Sequence, residues 1–143
     1  TGKEDVIQTL STLLYENKVI NSIEGFTEAV RERESQTTTA VGFGIAIPHA
    51  RSKYVNKPGI AIGRSAEFVW DSETDQSVNL IFLLAVPDKI DYPEYMVMLA
   101  SISRMLVHQR FRKALLNAHD IDEFINEISA GERYLVNGKN KTE

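Results

Sequence analysis

The sequence contains no cysteine in 143 residues. That absence excludes a disulfide scaffold, a thiolate-ligated zinc or iron–sulfur site, and thiol catalysis. A basic surplus is also missing: 16 Lys and Arg stand against 20 Asp and Glu, a net charge of −4. Proteins that grip a phosphate backbone normally carry a basic excess, so nucleic acid is disfavoured as a partner. No apolar run approaches the ~18 residues of a membrane span, and no signal peptide opens the chain. A cytoplasmic domain, either free or tethered to a membrane transporter but not itself inserted, is the expectation. The first residue is Thr1 rather than Met, as expected of a piece of a longer polypeptide.

What is present is globular in composition. Hydrophobic residues make up 43% and charged residues 25%, which is too apolar for a disordered chain. A chain of this length buries about two-thirds of its unfolded surface, enough for one ordinary domain with a real core. We expect that domain over residues 1–136, followed by a polar tail or linker at 137–143.

Thr1-Gly-Lys-Glu4 reads as a capping box. A helix is expected after it, with Val6, Ile7, Leu10, Leu13 and Leu14 on one stripe and Asn17 as its stop. A second helix from about Ser22 would face Ile23, Phe26 and Val30 inward. The polar β-branched stretch Ser35–Thr39 weakens it. Gly42 and Gly44 bracket Phe43 and make the backbone permissive there. Short strands follow at 45–47, ended by Pro48, at 59–63 and at 68–70. Asn79–Val86 is a continuous apolar run, the pattern of a central strand buried on both faces. Residues 92–107 predict a helix with Tyr95, Leu99, Ile102 and Leu106 on its stripe. Shorter helices are expected at 111–117 and, capped by Asp120, at 121–129. Helices, then strands, then helices predict an α/β (α+β) fold, a three-layer α/β/α sandwich with a mixed β-sheet.

Three histidines are candidates for chemistry. His119, beside Asp120 at a helix boundary, reads as a solvated surface residue. His108 follows an apolar stripe and reads as a cation at a helix C-terminus. His49 differs: it directly follows Pro48 at a strand end, where sheet proteins commonly place chemistry, and two glycines lie just upstream. Arg33 falls three residues after Val30 and seven after Phe26, on the inward stripe. Either it has a structural role, pairing with a carboxylate such as Glu34 or snorkelling out past the helix end, or its planar guanidinium clamps an anion. Position alone leaves the structural and the anion-binding readings equal. The hydroxyls of Thr37, Thr38 and Thr39 follow and could donate to the same anion.

The run Arg33-Glu-Ser-Gln-Thr-Thr-Thr-Ala-Val-Gly-Phe-Gly-Ile-Ala-Ile-Pro-His49 resembles the phosphorylation-site signature of the enzyme IIA domain of the sugar phosphotransferase system (PTS), fructose/mannitol type. The likeness extends over nearly the whole chain. It implies an α/β/α fold with a mixed sheet and a phosphotransferase that works through a phosphohistidine. It implies that His49 carries the phosphoryl group, that Arg33 assists, and that Thr37, Thr39, Gly42 and Gly44 support the phosphate site. Phospho-HPr would be the donor and a cysteine on the IIB domain of a sugar transporter the acceptor, with no cofactor and no metal. The family usually has a second histidine at the start of the helix after the central strand; here Tyr95 takes that place. His108 lies about 20 Å further along a helix at ~1.5 Å per residue, too far to replace it. A regulatory module built on the same domain, in which phosphorylation is a signal rather than a transport step, is the alternative. A docking partner would need an exposed, partly apolar face near His49, for which Phe43 and Ala50, rimmed by Arg51 and Lys53, are the candidates.

Overall fold

A computed structural model describes residues 2–118, which divide after Asp91 into two compact units. His119, the expected helix at 121–129 and the tail at 137–143 lie outside the described residues.

In the first unit α1 spans Lys3–Glu16 and α2 spans Ile23–Gln36. Gly2, not Thr1, is the N-cap of α1, and Glu4 is drawn sideways into an ion pair with Arg31 at 3.0 Å. Thr1 itself lies outside the described residues. Asn17 is the C-cap, as expected. Ile7, Leu10 and Leu14 are buried, but Leu13 points outward and is 44% exposed. The buried stripe follows the i, i+3, i+7 spacing, and Leu13 falls one position off it. Ser22 caps α2 by accepting the Gly25 N–H at 3.0 Å. Gly25 lets the helix pass close above Tyr54, because a Cβ there would come within 2.3 Å of its ring. Thr37, in extended backbone, ends the helix one residue after Gln36.

Five strands form one mixed sheet: β1 Ala40–Gly42, β2 Ile45–Ala46, β3 His49–Ser52, β4 Gly59–Asp71 and β5 Gln76–Pro87. β5 is its centre, and every residue from Leu80 to Val86 is at most 5% exposed. β4 runs antiparallel along one edge of β5. β2 and β3 share the other edge, both parallel to β5, one after the other. Ile45 pairs with Leu80 and His49 with Leu84. β1 closes a tight hairpin onto β2. Ile7, Leu10, Leu14, Phe26 and Val30 pack with Ile81, Leu83 and Ala85 in one core. Burying each Leu, Ile or Phe of this set contributes about 1.5–3 kcal/mol. Truncating Phe26, fully buried at its centre, costs about 3–5 kcal/mol.

Three strand expectations are corrected. The strand expected at 45–47 ends at Ala46, and the chain resumes pairing with β5 at His49 rather than stopping at Pro48. The break falls there because Pro48 has no N–H to give and the Ile47 N–H turns to the Thr39 carbonyl at 3.0 Å. Residues 59–63 and 68–70 are one continuous strand, with register shifts where two short ones were expected. A bulge bends a strand without ending it, and it breaks the alternation by which strands are read. β1 had no apolar run to announce it.

In the second unit α3 spans Tyr92–Leu106 and α4 spans Gln109–Asn117. Tyr95, Met105, Leu106, Phe111 and Leu115 are buried, and Leu99 and Ile102 are half-buried. α4 starts two residues earlier than expected, so His108 stands at its N-cap and not inside a basic helix end. The mixed α/β class with a mixed sheet is the one the sequence predicts.

Candidate functional site

His49 is the first residue of β3 and is 7% exposed. Its Nδ1 lies 2.7 Å from the carbonyl oxygen of Ile47. A carbonyl can only accept, so Nδ1 carries the proton, and the lone pair of the neutral ring is on Nε2. Burial pushes the imidazole below its ordinary value of 6.5 because the charged form is poorly solvated. The Ile47 carbonyl opposes that shift by accepting from the ring. The Arg33 guanidinium lowers it further, and the Glu34 carboxylate raises it. The ring is therefore a neutral, oriented nucleophile near pH 7, in the field of one cation and one anion.

Arg33 lies in the last turn of α2 and is half-buried. Its Nη1 donates to the Thr37 carbonyl at 2.8 Å, which closes the end of the helix. Among the described residues no carboxylate pairs with it within ion-pair distance. Of the readings of Arg33, pairing with Glu34 is the one the structure does not show; the bond to Thr37 fits a side chain that reaches past the helix end. Glu34, not Arg33, continues the inward stripe, because Phe26, Val30 and Glu34 follow one another at four-residue spacing. Its side chain is 6% exposed. Oε2 accepts from the Thr39 N–H at 3.0 Å, from Trp70 Nε1 at 3.1 Å and from Lys3 Nζ at 3.4 Å; Oε1 accepts from the Thr39 hydroxyl. Sequence reasoning treated Glu34 only as a partner for Arg33. A charge continuing an apolar i, i+4 stripe was the signal available.

The remaining candidates take distinct places. Thr37 offers its carbonyl to Arg33. Thr39 is buried, and its hydroxyl is given to Glu34, so it supports the site through that carboxylate. The Thr38 hydroxyl accepts the Ala40 N–H at 3.2 Å. Gly42, Phe43 and Gly44 form the hairpin turn with φ of 92°, 60° and 76°. Gly44 also has no room for a side chain, because a Cβ would stand 2.8 Å from Asn79 Oδ1. The register separates this turn from His49: Leu80 and Leu84 are four residues apart, about 13 Å along a strand. Phe43 is 69% exposed at the tip, whereas Ala50 is buried in the core and offers no docking surface. Arg51 donates to the carbonyls of Asp88 and Ile90 at 2.8 and 3.0 Å. Lys53 lies 5.2 Å from the centre of the Tyr54 ring. In the second unit, Tyr95 is buried with its ring edge-on to Tyr92 at 6.0 Å. Among the described residues no group of three or more acidic, His or Cys side chains could hold a metal ion, and no helix is long and apolar enough to cross a membrane.

Fold and site together define a mixed α/β domain that presents a buried, orientation-fixed histidine in the field of an arginine that, among the described residues, has no carboxylate within ion-pair distance. Residues 1–131 match the family described as phosphoenolpyruvate-dependent sugar phosphotransferase system, EIIA 2. The chain belongs to that family. It is 37% identical over 117 residues to the fructose-specific EIIA component of Haloferax volcanii, covering 81% of this chain and 75% of that protein. It is 35% identical over 132 residues to the fructose-specific EIIABC component of Bacillus subtilis, covering 92% of this chain but only 21% of that protein. The fold is shared with the nitrogen regulatory protein IIA-Ntr of Neisseria meningitidis, at a TM-score of 0.77 and 24% identity over 89% of this chain and 86% of that one. It is shared too with Escherichia coli IIA mannitol, solved in complex with phosphorylated IIB mannitol, at a TM-score of 0.75 and 21% identity over 91% of this chain and 89% of that one.

Proposed function

We propose that this chain accepts a phosphoryl group on Nε2 of His49 from phospho-HPr and passes it to a cysteine of a IIB domain during sugar uptake. The observation that carries this reading is the Nδ1–H bond of His49 to Ile47, which leaves Nε2 as the only basic nitrogen of the neutral ring. In the transfer, Nε2 attacks phosphorus in line, the new N–P bond forms, and the bond to the donor imidazole breaks. The transition state is loose, with charge spread over three equatorial oxygens. The ring becomes cationic as it takes up phosphorus, and the Ile47 carbonyl stabilises the Nδ1–H that then carries the charge. Arg33 is the group of the right sign and shape to meet the phosphoryl oxygens. Thr37 and Thr39 hold the end of α2 that carries it, and the Gly42–Gly44 turn shapes the hairpin whose tip, Phe43, is the docking contact.

This chain has no cysteine, so the IIB acceptor is a separate domain or protein. The relatives named fructose-specific support a fructose-type transporter as the destination. They also make the regulatory-module alternative the less favoured one. The family match over 1–131 supports reading that stretch as a IIA unit. The test is to phosphorylate ¹⁵N-labelled protein with phosphoenolpyruvate, enzyme I and HPr, and to read by NMR which ring nitrogen bears phosphorus. Nε2 of His49 is expected; phosphorus on Nδ1, or on another residue, overturns the assignment.

A further inference from the structure

We propose that Glu34 is a positioning residue for His49, holding its ring in the reactive tautomer through two intervening residues, Thr39 and Ile47. The inference rests on His49 being the acceptor and deepens that reading. The four residues form one hydrogen-bonded chain. Both carboxylate oxygens of Glu34 receive Thr39, one from its N–H at 3.0 Å and the other from its hydroxyl. The carbonyl of Thr39 receives the Ile47 N–H at 3.0 Å. The carbonyl of Ile47 receives Nδ1–H of His49 at 2.7 Å.

Each link fixes the next. Two bonds to one carboxylate hold both the backbone and the side chain of Thr39, and so aim its carbonyl. Ile47 is then held from its N–H side by Thr39. On its other side the Ile47 carbonyl precedes Pro48, whose ring restricts the chain. That carbonyl decides which nitrogen of His49 keeps the proton. The carboxylate is itself anchored from two further elements, by Trp70 Nε1 of β4 at 3.1 Å and by Lys3 Nζ of α1 at 3.4 Å. Lys3 also stands 5.3 Å from the centre of the Trp70 ring. A carboxylate that is 6% exposed is retained only where its acceptor capacity is used, and here the donors come from α1, β4 and the entry to β1. Glu34 does not touch the phosphoryl group; it acts through the ring that does.

The two substitutions that separate this role from packing are Glu34→Gln and Glu34→Ala. Gln can still accept from the Thr39 N–H and Trp70 Nε1 on its carbonyl, and donate to the Thr39 hydroxyl with its amide. Ala removes the anchor of Thr39. The measurements are the tautomer of His49 in the unphosphorylated protein, by ¹⁵N NMR of the ring, and the rate of phosphoryl uptake from phospho-HPr. Wild type should show the proton on Nδ1. Glu34→Ala should shift the neutral ring toward the Nε2–H tautomer and slow uptake on the order of ten- to a hundredfold, the scale of a misplaced reacting group. Glu34→Gln should restore both. If Glu34→Ala does not fold, Thr39→Val, which loses the hydroxyl and keeps the N–H, should move tautomer and rate in the same direction. Folded Glu34→Ala or Thr39→Val with the wild-type tautomer, whatever its rate, overturns the proposal. The tautomer is read without any phosphate. If His49→Ala still took up the phosphoryl group, the acceptor reading would fail while the tautomer comparison still decided the role of Glu34.

Discussion

His49 donates its Nδ1 proton to the carbonyl of Ile47, two residues before it, at 2.7 Å. The contact is possible because Pro48 turns the chain between β2 and β3, both of which lie along the same edge of β5. One local bend thus sets the tautomer, and the tautomer sets which nitrogen reacts.

The first prediction concerns pH. Burial holds the His49 imidazole below its ordinary 6.5, with Arg33 lowering it further and the Ile47 carbonyl and Glu34 opposing. The neutral ring is the nucleophile, so uptake should be level from about pH 6.5 to 8 and fall along an acid limb below that. The stability term has the same sign. The unfolded ring binds its proton more readily, so folding is undisturbed above 6.5 and is progressively weakened as pH falls toward the lower folded value. A single acid limb, that of His49, is expected in the rate profile. Two ionisations in the parent protein at saturating HPr would contradict this.

Arg33→Lys should keep the fold, because α2 is held by Phe26 and Val30 rather than by the guanidinium. An ammonium cannot present a planar fork, so uptake should slow on the order of tenfold to a thousandfold. Circular dichroism and a single-turnover rate check the two halves separately. A wild-type rate in the variant would make Arg33 a helix-end cap for Thr37 and nothing more.

Phe43→Asp addresses docking. The side chain is 69% exposed, and its backbone is in the left-handed region, which Asp tolerates better than Phe. The melting temperature should stay within about 2 °C, since surface substitutions generally change stability by at most ~0.5 kcal/mol. The apparent affinity for phospho-HPr should weaken. Unchanged affinity would place the partner elsewhere on the surface.

Local patterns carried much of this site, and long-range pairings carried the rest. Gly42-Phe-Gly-Ile-Ala-Ile-Pro-His49 announces a tight turn, a strand and a rigid exit within eight residues, so His49 was readable. The seven-residue apolar run of β5 was readable because burial on both faces leaves no polar gap. Glu34 was not, since its partners Lys3 and Trp70 lie 31 and 36 residues away and no periodicity brings them together. Arg33 looked inward on a 3.6-residue period, yet one position on the helix decides which of two adjacent charges is buried. β4 was read as two strands because its bulge interrupts the alternation. The resumption of pairing at His49 depends on register with Leu84, which a strand's own sequence does not encode.

The most direct measurement is the intact mass of the wild-type chain and of His49→Ala after incubation with phosphoenolpyruvate, enzyme I and HPr. The account predicts one added phosphoryl group, about 80 Da, on the wild type. It should be labile to acid and stable to base, with no addition to His49→Ala. It also predicts normal uptake by His108→Ala and His119→Ala. A phosphoryl group on folded His49→Ala, or none on the wild type while HPr is phosphorylated, would contradict it.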